Sequence, residues 1–342
     1  MDLRAEPADL RVAVRPRPGD RLAALDLGTN NCRLLVCEVG SDGLEVIDSF
    51  SRIVRLGEGL SRYERLSEAA MARTLAALKV CARIIARHHC AAVRCVATEA
   101  CRRAINGPDF LRRVRRVTGL ELELLDHAEE ARLAMLGCLP LADPDADRLL
   151  VLDIGGGSTD LLWLDRRSEP GTAEPGTALS LPLGVVTLAE TFGREPSAEA
   201  YGAMVDLVHA RLLAQMPERA TFDPTGLEML GTSGTVTTLA AVHIGLRRYD
   251  RRKVDGLVLP FAAVRAVSAE LRSLGNAARA AHPCIGHGRA DLVVAGCAIL
   301  DAVHRLWPVA HLKVADRGLR EGILARLMGV TLAAALRPRV TA

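Results

Sequence analysis

Short apolar runs bounded by glycine and small polar residues alternate along this chain with longer stretches whose apolar positions recur at helical spacing. Three such runs, at about 22–27, 32–39 and 43–52, are separated by turns at Thr29–Asn31 and Ser41–Gly43, which predicts an antiparallel meander. Ser67 is placed to cap a helix running to about Arg87, with Ala70 closing its first turn. A strand at 92–97, a helix at about 108–118, a strand at 121–125 and a helix at about 128–138 follow. The stretch LADPDAD at 141–147 reads as a polar loop. The pattern then restarts at Arg148. A Gly/Pro-rich turn at 168–176 reads as a hairpin tip, and a strand at 178–183 leads to Gly184 and a helix. Beyond it the pattern predicts a helix at 197–214, a strand at 227–231, and helices at about 235–243, 261–274 and 289–306. A strand at 311–315 precedes a last helix. Strands alternating with helices imply a mixed α/β fold.

The restart is more than a rhythm. Ala24–Val36 reads ALDLGTNNCRLLV and Val151–Trp163 reads VLDIGGGSTDLLW. In each, an apolar strand ends in Asp, an apolar residue and Gly, passes a small polar turn, and resumes as a second strand. Such turns let the backbone approach an anion closely, and an Asp at a strand end can hold a cation or orient water. The reading is therefore an α/β protein of two domains related by duplication, with a ligand cleft between them. The expected layout is a loose tail at 1–20, one domain over 21–127 joined by the helix at about 318–336, and a second domain over 128–317. Two facing loops would enclose a phosphate chain, which points to a phosphoryl-handling enzyme.

Composition narrows this reading. At 342 residues and 49% hydrophobic, the chain can build two cores. Aromatics make up only 3%, which leaves few rings for stacking bases and argues against DNA or RNA as partner. The net charge of +3 is undiagnostic, but arginines cluster at Arg102, Arg103, Arg112, Arg113, Arg115 and Arg116 and again, with Lys253, at Arg247, Arg248, Arg251 and Arg252. Each side chain read alone is a solvated charge; as clusters they are candidates for guiding a polyanion. Nine cysteines without a CxxC pair read as free buried thiols in a reducing compartment. With no signal-like N-terminus and no apolar run of membrane-spanning length, the expectation is a cytoplasmic protein without a membrane partner. His88-His89-Cys90 reads as a helix end, and His282, Cys284 and His287 sit in a loop without an evident fourth ligand. Ser158 and Ser233 lack a nearby His–Asp arrangement, and no G-x-x-x-x-G-K-[ST] loop is present.

An ordered set of motifs gives the reading a family. These are Asp26-Leu27-Gly28-Thr29-Asn30, Arg55-Leu56-Gly57-Glu58-Gly59-Leu60, Thr98 with Arg102, Glu129-Glu130-Ala131-Arg132, Asp153-Ile154-Gly155-Gly156-Gly157-Ser158-Thr159, Gly231-Thr232-Ser233-Gly234-Thr235 and Arg317-Gly318-Leu319-Arg320-Glu321-Gly322. Together they resemble the exopolyphosphatase / guanosine pentaphosphate phosphohydrolase family, in its short two-domain form, within the actin-like (ribonuclease H-like) superfamily. Three features depart from the family pattern: Asp126-His127 precedes the paired glutamates, Asp160 stands where Glu is common, and no additional C-terminal helical domain follows.

The resemblance implies a hydrolase that releases terminal phosphate from inorganic polyphosphate, from the 5′ end of guanosine pentaphosphate, or both, with Mg²⁺ or Mn²⁺. Glu130 matches the family's water-activating glutamate and Arg102 its phosphate-contacting arginine. Thr29, Asn30, Gly155, Gly156, Gly157, Ser158, Thr159, Gly231, Ser233, Gly234 and Thr235 would bind phosphate. Asp26 and Asp153 are candidates for metal, and Asp160 for contact through water. The family commonly dimerises, and the apolar helices at 289–306 and 321–336 could supply a homodimer interface or simply be core. The competing readings are an actin-like kinase acting on a small molecule and a non-catalytic sensor of guanosine tetraphosphate or polyphosphate.

Overall fold

A computed structural model of the chain describes residues 16–165, 177–216 and 224–335. The expected hairpin tip at 168–176 and most of the expected tail lie outside them. The nearest part of that tail is tied down: the Arg17 amide donates to Asp20, and the Gly19 amide donates to the Val39 carbonyl.

The chain forms two compact units, one running up to Gly137 and completed by Leu319–Ala335, the other within Cys138–Gly318. The first is built on β1 (Arg21–Leu27), β2 (Asn31–Val39), β3 (Leu44–Ile53), β4 (Ala92–Ala97) and β5 (Leu122–Leu124), in the order β3-β2-β1-β4-β5. The first three strands form the predicted meander, and β4 and β5 add in parallel. β1 reads as a continuous apolar run because both its faces are covered. Ala23, Leu25 and Leu27 pack with Met71, Leu78, Phe110 and Val114, and Leu22 and Ala24 cluster with Leu133, Ile323 and Leu324. The helix Glu68–His88 starts as expected, with Ser67 accepting from the Ala70 amide.

The second unit repeats the plan. Its strands are β6 (Arg148–Ile154), β7 (Thr159–Asp165), β8 (Thr177–Leu181), β9 (Leu227–Thr232), β10 (Val258–Pro260) and β11 (His311–Ala315). Its sheet order is β10-β11-β9-β6-β7-β8. From β8 inward this is again a meander of three antiparallel strands followed by two parallel ones, with β10 as an extra antiparallel edge. The duplicated α/β architecture expected from the sequence is therefore present in both units.

Several boundaries differ from expectation for identifiable reasons. The helix His127–Cys138 belongs to the first unit, not the second, because Leu133 packs with Ile323 and Leu324 of the helix Leu319–Leu327. The last helix is broken at Gly329, which takes φ 80°, and resumes only at Leu332–Ala335. The helix expected from 289 begins at Val293. Helices Leu60–Tyr63, Glu99–Arg103, Arg251–Val254 and Asn276–Ala281 are too short for periodicity to mark. Of the two apolar helices considered for a dimer interface, the first is buried throughout Val293–Leu300, while the second buries Gly322, Ile323 and Leu324 and leaves Ala325–Met328 half-buried. All nine cysteines are free and all but Cys90 are buried; burial pushes the thiols of Cys95, Cys101 and Cys297 up to about 12. Among the described residues no helix is long and apolar enough to cross a membrane.

Gly322 marks the tightest helix crossing, since a methyl group there would overlap the Leu133 carbonyl. Gly322→Ala should cost about 1–3 kcal/mol by overpacking. A urea midpoint unchanged from wild type would show that the crossing yields freely.

Candidate active site

In the first unit the β1–β2 turn is closed by the Gly28 amide donating to the Asn31 carbonyl at 2.9 Å. The motif Arg55–Leu60 backs this turn. The Val54 and Arg55 amides donate to the Asn30 carbonyl, and the Gly57 amide donates to that of Thr29. A side chain at Gly57 would overlap Thr29, so glycine is required for the close approach. Thr29 and Asn30 are buried, and Asn30 Oδ1 is buried with no hydrogen-bond partner among the described residues. A buried acceptor of this kind calls for a donor or a cation.

The β6–β7 turn repeats the geometry, with the Gly155 amide donating to the Ser158 carbonyl at 2.9 Å. Here the backing comes from the helix Val185–Phe192. Its Val185 and Val186 amides donate to the Gly155 and Gly156 carbonyls, which spends the helix N-terminus on shaping the turn. A Cβ at Gly184 would stand 2.5 Å from the Gly156 backbone. The hydroxyls of the turn are used internally. Ser158 Oγ donates to Asp160 at 3.1 Å, and fully buried Thr159 donates to the Leu183 carbonyl at 2.7 Å. The Thr159 hydroxyl is therefore a strut of the turn, which leaves the backbone amides as the groups the sequence reading assigns to phosphate.

The third motif divides in the same way. Gly231 lies inside β9, where a Cβ would press on Val236 and Leu312, so its smallness serves packing. Thr235 fills the space left by Gly296. Ser233 opens the helix Ser233–His243 at φ 77°, and its hydroxyl donates to the Ile154 carbonyl, tying this turn to the Gly155–Ser158 turn. Gly234 faces the Arg289 guanidinium, which also donates to Thr238 at 3.1 Å. Asp153 and Thr232 are in register, as are Ala315 and Thr232. Both turns thus sit at the carboxyl ends of parallel strands, where open α/β sheets bind ligands.

The repeat separates the three aspartates. Asp26 stands opposite Arg33 across the hairpin, while Asp153 stands opposite Asp160. Burial raises the pKa of Asp26, and Arg33 and Arg320 pull it back. A cation is already provided beside Asp26, which makes it the poorer metal ligand of the three. Two carboxylates facing each other on neighbouring strands repel unless a cation or proton lies between them. Among the described residues no group of three or more His, Cys, Asp or Glu could hold a metal. Mg²⁺ takes one or two protein carboxylates and completes its shell with water and phosphate oxygens, so a pair such as Asp153 and Asp160 is of the kind it accepts.

The paired glutamates also part. Asp126 caps their helix, its carboxylate accepting from the Glu129 amide at 2.8 Å. This explains the Asp126 departure noted above. Glu129 is buried between Arg94 and Arg132. Glu130 is partly exposed and accepts from Arg102 Nη1 at 3.1 Å. A guanidinium has five N–H donors, and Arg102 directs all of them into the protein. Nε and Nη2 donate to Glu99 at 3.2 and 2.7 Å, Nη1 donates to the Leu125 carbonyl at 2.6 Å and to Glu130, and Nη2 also faces His127 Nδ1 at 3.1 Å. Glu99 is buried, which anchors the fork. Arg102, expected to contact phosphate, instead orients Glu130 here.

Arg33, Glu99 and Arg289 were not singled out from the sequence. Arg33 could have been found by aligning the two repeats, where it occupies the place of Asp160. Nothing local marks Arg289 as a neighbour of Gly234.

Comparison with known proteins gives the chain its family. The model of the Ppx/GppA phosphatase family matches residues 35–330. Exopolyphosphatase 2 of Mycobacterium tuberculosis (strain ATCC 25618 / H37Rv) is 30% identical over 324 residues, covering 90% of this chain and 99% of the relative. The crystal structure of the Aquifex aeolicus member of the Ppx/GppA family superposes with a TM-score of 0.73 at 30% identity, over 90% of this chain and 97% of that one. An exopolyphosphatase from Cytophaga hutchinsonii ATCC 33406 shares the fold, with a TM-score of 0.79 at 24% identity, over 91% and 99% of the two chains. This chain, with its duplicated sheets and its paired Gly-rich turns, belongs to the Ppx/GppA phosphatase family.

Proposed function

We propose that the protein is an exopolyphosphatase that releases terminal orthophosphate from inorganic polyphosphate, from the 5′ end of guanosine pentaphosphate, or from both. The observation that carries this reading is the partly exposed Glu130 carboxylate, held by an arginine whose donors are otherwise all spent within the protein. A phosphoanhydride resists water because its oxygens repel the nucleophile, so catalysis needs charge neutralisation, in-line placement and a base. Glu130 takes a proton from the attacking water, and Arg102 fixes the carboxylate's direction. The Thr29–Asn30, Gly155–Ser158 and Ser233–Gly234 turns hold phosphate oxygens, with Arg289 adding positive charge beside Gly234. Asp153 and Asp160 would hold Mg²⁺ or Mn²⁺, which when bound neutralises charge on the phosphate oxygens. The bond to the bridging oxygen breaks and the shortened chain leaves with that oxygen.

The test is phosphate release from tripolyphosphate, long-chain polyphosphate, guanosine pentaphosphate and ATP, with and without Mg²⁺. Release from polyphosphate or the pentaphosphate, abolished by chelation, is the expected result. Release from neither overturns the reading, and turnover of ATP only with an added acceptor favours a kinase.

A further inference from the structure

After the helix Ser233–His243 the chain reads GLRRYDRRKVDG over 245–256 before reaching β10. Arg247, Arg248, Arg252 and Lys253 are exposed, and Arg251 is half-buried, reaching Asp316 at 3.8 Å. Asp250 accepts from the Arg252 amide, caps the helix Arg251–Val254 and lies 3.6 Å from the Arg252 guanidinium, and Asp255 forms the ion pair with Arg317. With five basic residues against these two acids, the segment still carries an excess of positive charge.

Its position gives that charge a purpose. Tyr249 donates to Asp316 at 2.6 Å. Asp316 directly follows β11, whose last residue, Ala315, is in register with Thr232. The segment therefore leaves the far end of its helix but is drawn back to the carboxyl ends of the strands, beside Ser233 and Gly234. Arg289 faces Gly234, so a cation stands at the turn, and further cations lie on the exposed segment that Tyr249 ties back to Asp316.

We propose that Arg247, Arg248, Arg252 and Lys253 form a track that binds the part of a long inorganic polyphosphate lying beyond the phosphoryl groups held at the Ser233–Gly234 turn. This rests on the phosphohydrolase reading above and adds to it a determinant of chain-length preference. A linear polyanion with one charge per phosphoryl unit suits flexible, solvated cations spread along one segment. Because the side chains are exposed, their contribution falls as salt screens them.

The experiment compares the wild-type chain with Arg247→Gln/Arg248→Gln/Arg252→Gln/Lys253→Gln on long-chain polyphosphate and on tripolyphosphate, at low and high salt. For the long chain, kcat/KM should fall about 10-fold or more at low salt, through KM. The salt dependence should flatten, and tripolyphosphate turnover should stay within about 2-fold, because steering fades where no chain extends onto the patch. Unchanged long-chain kinetics, or an equal loss on both substrates, overturns the track. Wild-type protein that releases phosphate from neither substrate would defeat the hydrolase reading instead. In that case equilibrium binding of labelled long-chain polyphosphate decides the track separately: equal Kd values for the two proteins overturn it, and a variant at least about 10-fold weaker upholds it. Thermal melts confirm that the variant is folded, as expected for substitutions at exposed positions.

Discussion

Glu130→Gln should lower kcat on polyphosphate by about 10²–10⁴-fold, the usual worth of a general base. It should leave KM within a few-fold and the thermal midpoint nearly unmoved. The amide keeps an oxygen that can accept from Arg102 Nη1, as the carboxylate does at 3.1 Å, so the architecture has no reason to change. What is lost is the ability to take a proton from water at neutral pH. The neighbouring Glu129→Gln provides the contrast. Glu129 is buried against Arg94 and Arg132, so its neutralisation should reduce stability more than it reduces the chemical step. Steady-state kinetics with a melt for each variant separates the two. Near wild-type turnover by Glu130→Gln would remove Glu130 from the proposed role.

Arg102→Ala is expected to damage both stability and rate, for different reasons. It leaves the buried Glu99 carboxylate without its main partner, and breaking a buried pair in this way costs about 3–5 kcal/mol. It also releases Glu130 and opens the Leu125 carbonyl. The double variant Glu99→Ala/Arg102→Ala removes the stranded charge, so it should regain much of the lost stability while kcat stays about 10²-fold down, as expected when a catalytic group loses its alignment. Arg102→Lys should not rescue the rate, because an ammonium cannot reproduce a planar five-donor fork. Recovery of kcat together with stability in the double variant would show that Arg102 supports the fold alone.

The contrast between Glu129 and Glu130 shows what the sequence carried and what it did not. The two strand–turn–strand repeats were legible because the same Asp, apolar residue and Gly recur between apolar runs, and the observed turns close with the same Gly-to-carbonyl bond. The ordered family motifs are what direct attention to Glu130. The state of Arg102 was not legible, since it depends on Leu125 and His127, more than twenty residues away and on other elements. Thr159 and Gly231 sit in motifs that look uniformly phosphate-directed, yet one is a buried strut and the other a packing glycine. Which unit owns the helix His127–Cys138 was decided by Leu133 meeting Ile323, a contact between residues far apart in the chain. The demotion of Asp26 as metal ligand needed the strand register, because only pairing shows that its neighbour is Arg33 while that of Asp153 is Asp160.

Where the oxygen of water ends up is the sharpest test of the account. Tripolyphosphate turned over in ¹⁸O-enriched water with Mg²⁺ should give orthophosphate carrying the label and unlabelled pyrophosphate, since attack is assigned to the terminal phosphorus with Glu130 as base. Label in the pyrophosphate, or phosphate transferred to another acceptor with no label taken up, would contradict it.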